Sequence, residues 1–402
     1  MAAHEHIHLG VALEGSGWHP AAWREPDARP TDLFTAGYWT DLVGIAEQGS
    51  LDFVTIEDSL GLQSDDRFRP DARTDRVRGR LDAVQIAARV APTTSAIGFL
   101  PTAVVSHTEP FHLSKAIATL DYVSSGRGGI RVQVDARPDI AAHFGRRVID
   151  GIDRADADRP EVVSAVSDLF DEAADYVEVV RRLWDSWEDG AEIRDIGSGR
   201  FVDREKLHYI DFEGRWFSVK GPSITPRPPQ GQPVVAALGH AAIPYRLIAT
   251  SADIGFITPR DAAQARDIVG QIRAFQREAG REEETVHIFV DLEVLIDDTS
   301  AAAAARLARL NDTAGEEHRS DALIVADTAA NIADVLVELH AAGVSGFRLR
   351  PATLPHDLRQ ITTALVPQLR RRGLFRDAYP NDSVVLRDLL GLTRPANRYA
   401  TA

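Results

Sequence analysis

The stretch SAIGFLPTAVVSHTEPFHLSKAIATLDYVSSGRGGIRVQV, residues 95–134, decides the fold. It begins with a short apolar run, Ser95 to Thr102, continues with apolar residues at helical spacing over Glu109 to Val123, and ends with a second apolar run, Gly129 to Val134. Short apolar runs are typical of strands buried on both faces, and apolar residues at steps of three and four indicate a helix. The stretch therefore predicts a strand, a crossover helix and a parallel strand.

The same alternation continues along the whole chain. The predicted strands are Ile7 to Leu13, Phe53 to Ile56, Ser95 to Thr102, Gly129 to Val134, Pro233 to Ala237, Asp253 to Thr258, His287 to Ile296 and Gly346 to Leu349. The predicted helices include Phe34 to Gln48, Leu81 to Val90, Pro160 to Trp187, Arg260 to Gly280, Ser300 to Leu310, Ala329 to Ala342 and Leu358 to Arg371. Eight short strands interleaved with helices predict an α/β fold, a (β/α)₈ TIM barrel. The alternative, an open doubly wound sheet, usually has a G-x-G-x-x-G turn after its first strand, and Leu13 is not followed by one.

We expect one barrel domain over residues 1–402, with two inserted segments and a tail. Residues 135–165 contain a charged loop, and residues 188–232 carry glycine and proline punctuation with aromatic alternation, which predicts a hairpin excursion. Residues 373–402 form the C-terminal tail. Apolar helices on the outside of a barrel and this long tail lead us to expect a homodimer or homotetramer.

Composition excludes several classes of function. The chain has no cysteine, so disulfides and cysteine nucleophiles are excluded and redox chemistry would need a cofactor. A net charge of −15 disfavours nucleic acid and anionic membranes as partners. No apolar run approaches the roughly 18 residues of a membrane span, and the N-terminus lacks a signal-peptide pattern. We therefore expect a cytoplasmic protein with a small-molecule substrate.

In a barrel of this kind, the chemistry takes place in the loops that follow the strands. Three loop histidines, His19, His107 and His143, are the candidate catalytic residues, because imidazole can donate a proton near neutral pH; the alternative is that they are packed or solvated loop residues. His4 and His6 form an H-x-H pair of the kind that can bind a metal. The pair precedes the apolar part of the first strand, at the opposite end of the barrel, so no metal site is expected.

The loop after the first strand carries a family resemblance. Its sequence GWHPAAWR, residues 17–24, resembles the hallmark of the nitrilotriacetate monooxygenase branch of luciferase-like flavoproteins, which also includes sulfone monooxygenases and long-chain alkane monooxygenase. Further matches lie at residues 51–60, at GRWFSVKGPSITPRP (214–228) and, most specifically, at RGLF (372–375) with the segment 386–397 that follows. The resemblance implies a two-component monooxygenase: a separate flavin reductase supplies reduced FMN, and this chain uses it with dioxygen to oxygenate a small organic substrate.

Position by position, the resemblance also implies a cofactor site, with departures from the family pattern. Asp58 and Thr102 match residues of the family. The family's small hydroxyl residue is replaced by Val104, the asparagine and threonine of the fourth strand by Arg131 and Val134, the phosphate-binding tyrosine by Phe170, and the Ser-Ser pair after Gly239 by His240-Ala241.

These departures leave alternatives open. The helix that follows Gly239 still offers free backbone N–H groups to a phosphate, His240 could add a charged hydrogen bond, and Arg131 could neutralise the ring or the phosphate. Alternatively, Arg131 pairs with Asp135 or Glu57, and His240 caps its helix. The functional hypotheses are accordingly an FMN-dependent oxygenase, a deazaflavin-dependent oxidoreductase, or a barrel that has lost its flavin and has a binding or accessory role.

Overall fold

A computed structural model describes residues 6–66, 68–151, 159–380 and 384–400. The strands are β1 (His8–Leu13), β2 (Phe53–Ile56), β3 (Gly98–Val104), β4 (Gly129–Gln133), β5 (Glu192–Asp195), β6 (Arg200–Val202), β7 (Phe212–Glu213), β8 (Ser218–Val219), β9 (Val234–Gly239), β10 (Ile254–Ile257), β11 (His287–Ile296), β12 (Leu323–Asp327) and β13 (Gly346–Pro351). The helices are α1 (Ala36–Gln48), α2 (Ala83–Val90), α3 (Pro110–Val123), α4 (Pro138–Phe144), α5 (Pro160–Asp185), α6 (Ala242–Ser251), α7 (Ala262–Glu278), α8 (Ser300–Ala314), α9 (Ala329–His340), α10 (His356–Gln360), α11 (Val366–Arg371) and α12 (Leu386–Leu389).

Eight of the described strands close into a parallel barrel, as the sequence predicted. Their order around the barrel is β1, β2, β3, β4, β9, β10, β11 and β13, and β13 pairs back to β1. Side chains alternate between the two faces of each strand. The outward residues, such as Val11, Val54 and Val132, pack with the buried faces of the helices into the largest apolar cluster.

The inward residues form two kinds of layer. The layer at the amino ends of the strands is apolar and includes Phe53, Phe256 and Phe289. Leu386 and Leu390 of the C-terminal tail pack into this layer, so the tail seals the bottom of the barrel. Layers closer to the carboxyl ends are polar and charged, and they form the floor of the site described below.

Three elements and the number of hairpins differ from the sequence prediction. Strand β12 and the helices α4 and α12 were missed, and residues 188–232 hold two hairpins, β5–β6 and β7–β8, instead of one. Strand β12, LIVAD, is a short apolar run like the strands that were predicted, but it pairs only with Leu292–Ile296 at the carboxyl half of β11 and remains half-buried. It adds to the mouth of the barrel without belonging to the closed ring.

Two further expectations bear on this architecture. His4 of the H-x-H pair lies outside the described residues, and those residues do not gather three potential metal ligands in one place. Among the helices of the described ranges, none combines the length and the apolar composition that a membrane span requires.

Candidate active site

A cavity of about 890 Å³ opens at the carboxyl ends of the barrel strands. Its walls are Trp18 and His19 from the loop after β1, residues 57–59, 62–65, 76–78 and 80 from the loop between β2 and α2, and residues 316–321 from the loop between α8 and β12. Glu57, directly after β2, and Gln133, at the end of β4, also line it, and Glu293 lines it from inside β11. We call it the mouth cavity. Its position and size are those of a small-molecule site in a parallel barrel.

Beneath the mouth cavity lies a charge network of three arginines and three carboxylates. Its members are Arg131, Arg348, Arg350, Glu57, Asp291 and Asp321. The sequence shows its origin, because in the buried strands HIFVDLEVLI and GFRLRP charges recur at every second position and therefore point to one face. The three positive and three negative charges balance, and ions are tolerated away from water when they are paired in this way.

Arg131 is held on one side of this network. Its guanidinium forms an ion pair with Glu57, and its Nε donates to Thr102 Oγ1 at 2.9 Å. Burial lowers the pKa of Arg131 to about 10, so the side chain remains charged at neutral pH. Of the alternatives for Arg131, the pair with Glu57 is therefore the one present in the protein.

On the other side of the network, Asp291 is the central carboxylate, which pairs with both Arg348 and Arg350. Its Oδ1 accepts from Arg348 Nε at 2.8 Å and its Oδ2 accepts from Arg350 Nε at 3.0 Å. Burial opposes ionisation of Asp291, but the two arginines outweigh it and hold the pKa of this carboxyl below its usual range. Arg350 also packs over the ring of Trp18 at 4.4 Å, which connects the network to the wall of the mouth cavity.

His19 lies in the wall of the mouth cavity, and both of its ring nitrogens are engaged. Nδ1 accepts from the backbone N–H of Ala21 at 3.1 Å, so the proton resides on Nε2, which donates to Asn311 Oδ1 at 3.0 Å. Burial lowers the pKa of His19 and favours this neutral form. The side chain orients its neighbours and has no nitrogen left for a substrate.

His318 stands beside it, with ring centroids 4.7 Å apart. Its Nε2 lies 2.8 Å from Glu293 Oε1, and its backbone N–H donates to the same Asn311 Oδ1 at 3.0 Å. The Glu293 side chain is 1% exposed, and its second oxygen, Oε2, has no hydrogen-bond partner among the described residues. A histidine and a buried carboxylate thus meet at the wall of the mouth cavity.

Asp58 is the only one of the nine predicted cofactor-binding residues that lines the mouth cavity. Its carboxylate accepts from the backbone N–H of Ala83 at 2.9 Å and of Ser59 at 2.7 Å, which fixes the start of α2. Burial raises the pKa of Asp58 to about 6, although these N–H groups oppose the shift. Burial also raises the pKa of the neighbouring Asp135.

Four of the predicted cofactor residues belong to strands β3 and β4 or follow them. Thr102 and Val104 are buried, and Thr102 touches Arg131 inside the barrel. Val134 packs against the outward apolar cluster, because residues 131 and 133 share the inward face and residue 134 points the other way. Gln133, which the sequence analysis did not single out, lines the mouth cavity instead.

The remaining four predicted cofactor residues lie near a second cavity, of about 340 Å³, between α5, α6 and α7. Phe170 and Ala242, the first residue of α6, both line it, as does Arg246. Gly239 and Ala241 immediately precede α6. His240 is exposed there; its Nδ1 lies 2.9 Å from Thr258 Oγ1 and its Nε2 lies 3.4 Å from Asp321 of the charge network.

The other two candidate catalytic histidines lie elsewhere. His107 is buried, stacks on Phe144 at 5.7 Å and is one of the residues around a separate small recess. Burial lowers its pKa. His143 is exposed in the last turn of α4 and is not among the residues that line the mouth cavity.

Sequence reasoning missed His318 and Glu293 for different reasons. His318 precedes β12, and since that strand was missed, its loop was not identified as part of the mouth. Glu293 lies inside a strand and not after one, but it had a visible signal: Asp291 and Glu293 interrupt an otherwise apolar strand at positions two apart. Charges in a strand of this kind indicate that a functional site lies inside the barrel.

Comparison with known proteins agrees with this geometry. The family described as luciferase-like monooxygenase matches residues 16–345. The N-acetyl-S-(2-succino)cysteine monooxygenase of Bacillus subtilis (strain 168) is 29% identical over 98% of this chain and 98% of its own. Nitrilotriacetate monooxygenase component A of Aminobacter aminovorans is 28% identical over 100% of this chain and 99% of its own.

A solved structure gives the same result for the fold. The crystal structure of a long-chain alkane monooxygenase superposes with a TM-score of 0.82 and 23% identity, covering 96% of both chains. The predicted TIM barrel and the predicted family branch are thereby confirmed. The chain belongs to the luciferase-like monooxygenase family.

Proposed function

We propose that this chain is the oxygenating component of a two-component monooxygenase, which binds reduced FMN at the mouth of the barrel and oxygenates a small organic substrate. The observation that carries the proposal is the mouth cavity of about 890 Å³ at the carboxyl ends of the strands in a member of this family. Reduced FMN, when bound, supplies the electron pair that activates dioxygen. The protein's task is to hold the ring, anchor the phosphate and keep water away.

The residues present fit such a cofactor in two places. Trp18, Asp58 and Gln133 present a flat aromatic surface and hydrogen-bonding groups to the mouth cavity. The second cavity meets the first turn of α6, whose backbone N–H groups and dipole favour an anion, and Arg246 adds a cation there. We assign the ring to the first place and the phosphate to the second.

The chain's own residues would then divide the work. The charge network fixes the carboxyl ends of β2, β4, β11 and β13, so the floor beneath the ring is rigid. His19 and Asn311 hold the loop after β1 against residues 316–321. Glu316 pairs with Arg73 at 2.8 Å and with Arg76, which joins that segment to the loop between β2 and α2 across the mouth. These contacts restrict the access of water.

Partners follow from the same proposal. A separate flavin reductase would supply reduced FMN, a division of labour consistent with a relative whose name specifies one component of an enzyme. A homodimer or homotetramer is supported by exposed apolar side chains on the β5–β6 hairpin, where Ile196 is 97% and Phe201 65% exposed. We place the protein in the cytoplasm, where flavin reductases and reduced cofactors are available.

One observation favours a second candidate, a barrel with a binding or accessory role. Arg131 stands where the family has an asparagine, and its Nε and Nη2 donate to Thr102, Glu57 and Gln133 inside the protein. If that substitution abolishes flavin binding, the mouth cavity serves a ligand without redox chemistry.

The test is oxygen incorporation. The chain is supplied with reduced FMN by an unrelated flavin reductase, isotopically labelled dioxygen and a panel of thioethers, sulfones, amines and alkanes, and products are analysed by mass spectrometry. The proposal predicts one labelled oxygen atom in a product that is absent when either the chain or the reductase is omitted. Consumption of reduced FMN at the same rate with and without the chain, and no labelled product, would contradict it.

A further inference from the structure

His318 has a free ring nitrogen at the wall of the mouth cavity. Its Nε2 is taken by Glu293 at 2.8 Å, while Nδ1 makes no hydrogen bond to any described residue. The side chain is 10% exposed, and the residue lines the mouth cavity. His318 therefore offers one nitrogen to a ligand and has the other fixed by a buried carboxylate.

No other candidate histidine has this arrangement. His19 uses both nitrogens within the protein, His107 is stacked on Phe144 in a separate recess, and His143 is exposed away from the cavity lining. A carboxylate that accepts from one imidazole nitrogen fixes the tautomer and stabilises the imidazolium, as in other histidine–carboxylate pairs.

The titratable and charged side chains around His318 come from four segments of the chain. Glu293 faces it from β11, and His19 faces it from the loop after β1. Arg76, from the loop between β2 and α2, acts on the same cluster. Within its own loop, the charged neighbours along the chain are Glu316, Glu317, Arg319 and Asp321. The second carboxylate oxygen of Glu293, Oε2, has no hydrogen-bond partner among the described residues.

We propose that His318 and Glu293 form a proton-handling pair for the oxygenation reaction, in which His318 donates a proton through Nδ1 and Glu293 is the positioning residue that stabilises the protonated imidazole. This inference rests on the proposed function. One oxygen atom of dioxygen bonds to the substrate, the O–O bond breaks with the electron pair that reduced flavin supplies, and the other atom takes up two protons and leaves as water. Oxidation of reduced flavin releases two protons, so His318 regains the one that it donates.

The chain contains a matched control pair. His208 Nε2 lies 2.7 Å from Glu188 Oε1 in the inserted segment, and neither residue lines the mouth cavity. His318→Gln and Glu293→Gln are therefore compared with His208→Gln and Glu188→Gln. Thermal unfolding of all four variants separates a loss of function from a loss of fold. His318→Gln is the safer variant for folding, since it lies in a loop and not in a barrel strand.

Two readouts distinguish a proton-handling role from a structural one. The first is the nitrogen NMR signal of the His318 imidazole in the protein without flavin. Glu293→Gln replaces the carboxylate that lies 2.8 Å from Nε2 and is expected to shift that signal, whereas Glu188→Gln leaves it unchanged. The second is turnover with reduced FMN and an accepted substrate: His318→Gln should lower kcat by about a hundredfold or more, with little change in KM, and should divert dioxygen to hydrogen peroxide.

Two results would overturn the inference, and a third would overturn the proposed function on which it rests. An unchanged nitrogen NMR signal of His318 in Glu293→Gln would show that the two residues are not paired. An unchanged kcat in a folded His318→Gln variant would show that the pair handles no proton in turnover. Absence of any binding of reduced FMN to the unmodified chain would instead overturn the proposed function, and the NMR comparison in the flavin-free protein would show separately whether the pair exists.

Discussion

Replacing Asp291 with asparagine removes one of the three carboxylates that balance three arginines inside the barrel. Asp291 is fully buried and accepts from both Arg348 and Arg350, so the variant leaves two buried guanidinium groups short of negative charge while the side-chain volume stays the same. Breaking a buried ion pair in this way costs about 3–5 kcal/mol. With an unfolding entropy of about 2.1 cal/mol/K per residue, this corresponds to a melting temperature lower by about 4–6 °C for a chain of 402 residues.

The assay is urea-induced and thermal unfolding of both proteins, with Asp41→Asn as the control. Asp41 forms an exposed pair with Arg29 at 2.7 Å and should contribute about 0–1 kcal/mol. Because the pKa of Asp291 is held down in the folded state, its contribution is present above the unfolded pKa of about 3.9 and is lost as the pH falls below it. The acid side of the stability profile should therefore be less steep in Asp291→Asn. If Asp291→Asn lowers the free energy of unfolding by less than about 1 kcal/mol, the reasoning that the charges of the network are removed from water and depend on one another is refuted.

Three further predictions follow from other parts of the molecule. Leu390→Ala, in the tail that seals the barrel, should lower the free energy of unfolding by about 2–5 kcal/mol, measured in urea against Ile196→Ala, a change at an exposed side chain that should have little effect; equal effects would contradict the sealing role. The pKa of Asp58 is raised to about 6, so wild-type stability should fall as the pH rises from about 4 to about 6, and Asp58→Asn should flatten that decline in the same assay. Phe170→Tyr restores the family's hydroxyl group beside α6. The added hydrogen bond should tighten the binding of reduced FMN by roughly threefold to tenfold, measured by anaerobic calorimetry. Unchanged affinity would show that the second cavity is not part of the phosphate site.

The barrel could be predicted from sequence because its signals are local. Each ring strand is a short apolar run between turn residues, and strands such as Phe53–Ile56 and His287–Ile296 were predicted with the observed bounds. Strand β12 was missed although LIVAD is also a short apolar run. What the sequence does not show is that this strand pairs only with β11, at the mouth and outside the closed ring.

The site was less predictable for a related reason. Knowing that loops after strands carry the chemistry was sufficient to select His19 and Asp58, which do line the mouth cavity. It did not show that both nitrogens of His19 would be used internally, because those partners, Ala21 and Asn311, are set by packing between distant segments. The position of His318 depends on β12, so the residue came into view only with the fold.

The family resemblance assigned residues to the cofactor site by their positions in the sequence, and the structure shows which way their side chains point. Arg131 and Val134 were assigned to one site, but they lie on opposite faces of β4 and its extension. Strand alternation contains that information, and applying it would have chosen Gln133.

The central claim is tested most directly by anaerobic titration of the flavin-free protein with reduced FMN, followed by fluorescence or calorimetry. The account predicts saturable micromolar binding to the unmodified chain and weaker binding to His240→Ala, since His240 lies two residues before the first residue of α6, the helix at which the proposal places the phosphate. No saturation with millimolar reduced FMN would contradict the account and leave a luciferase-like barrel with a ligand other than flavin.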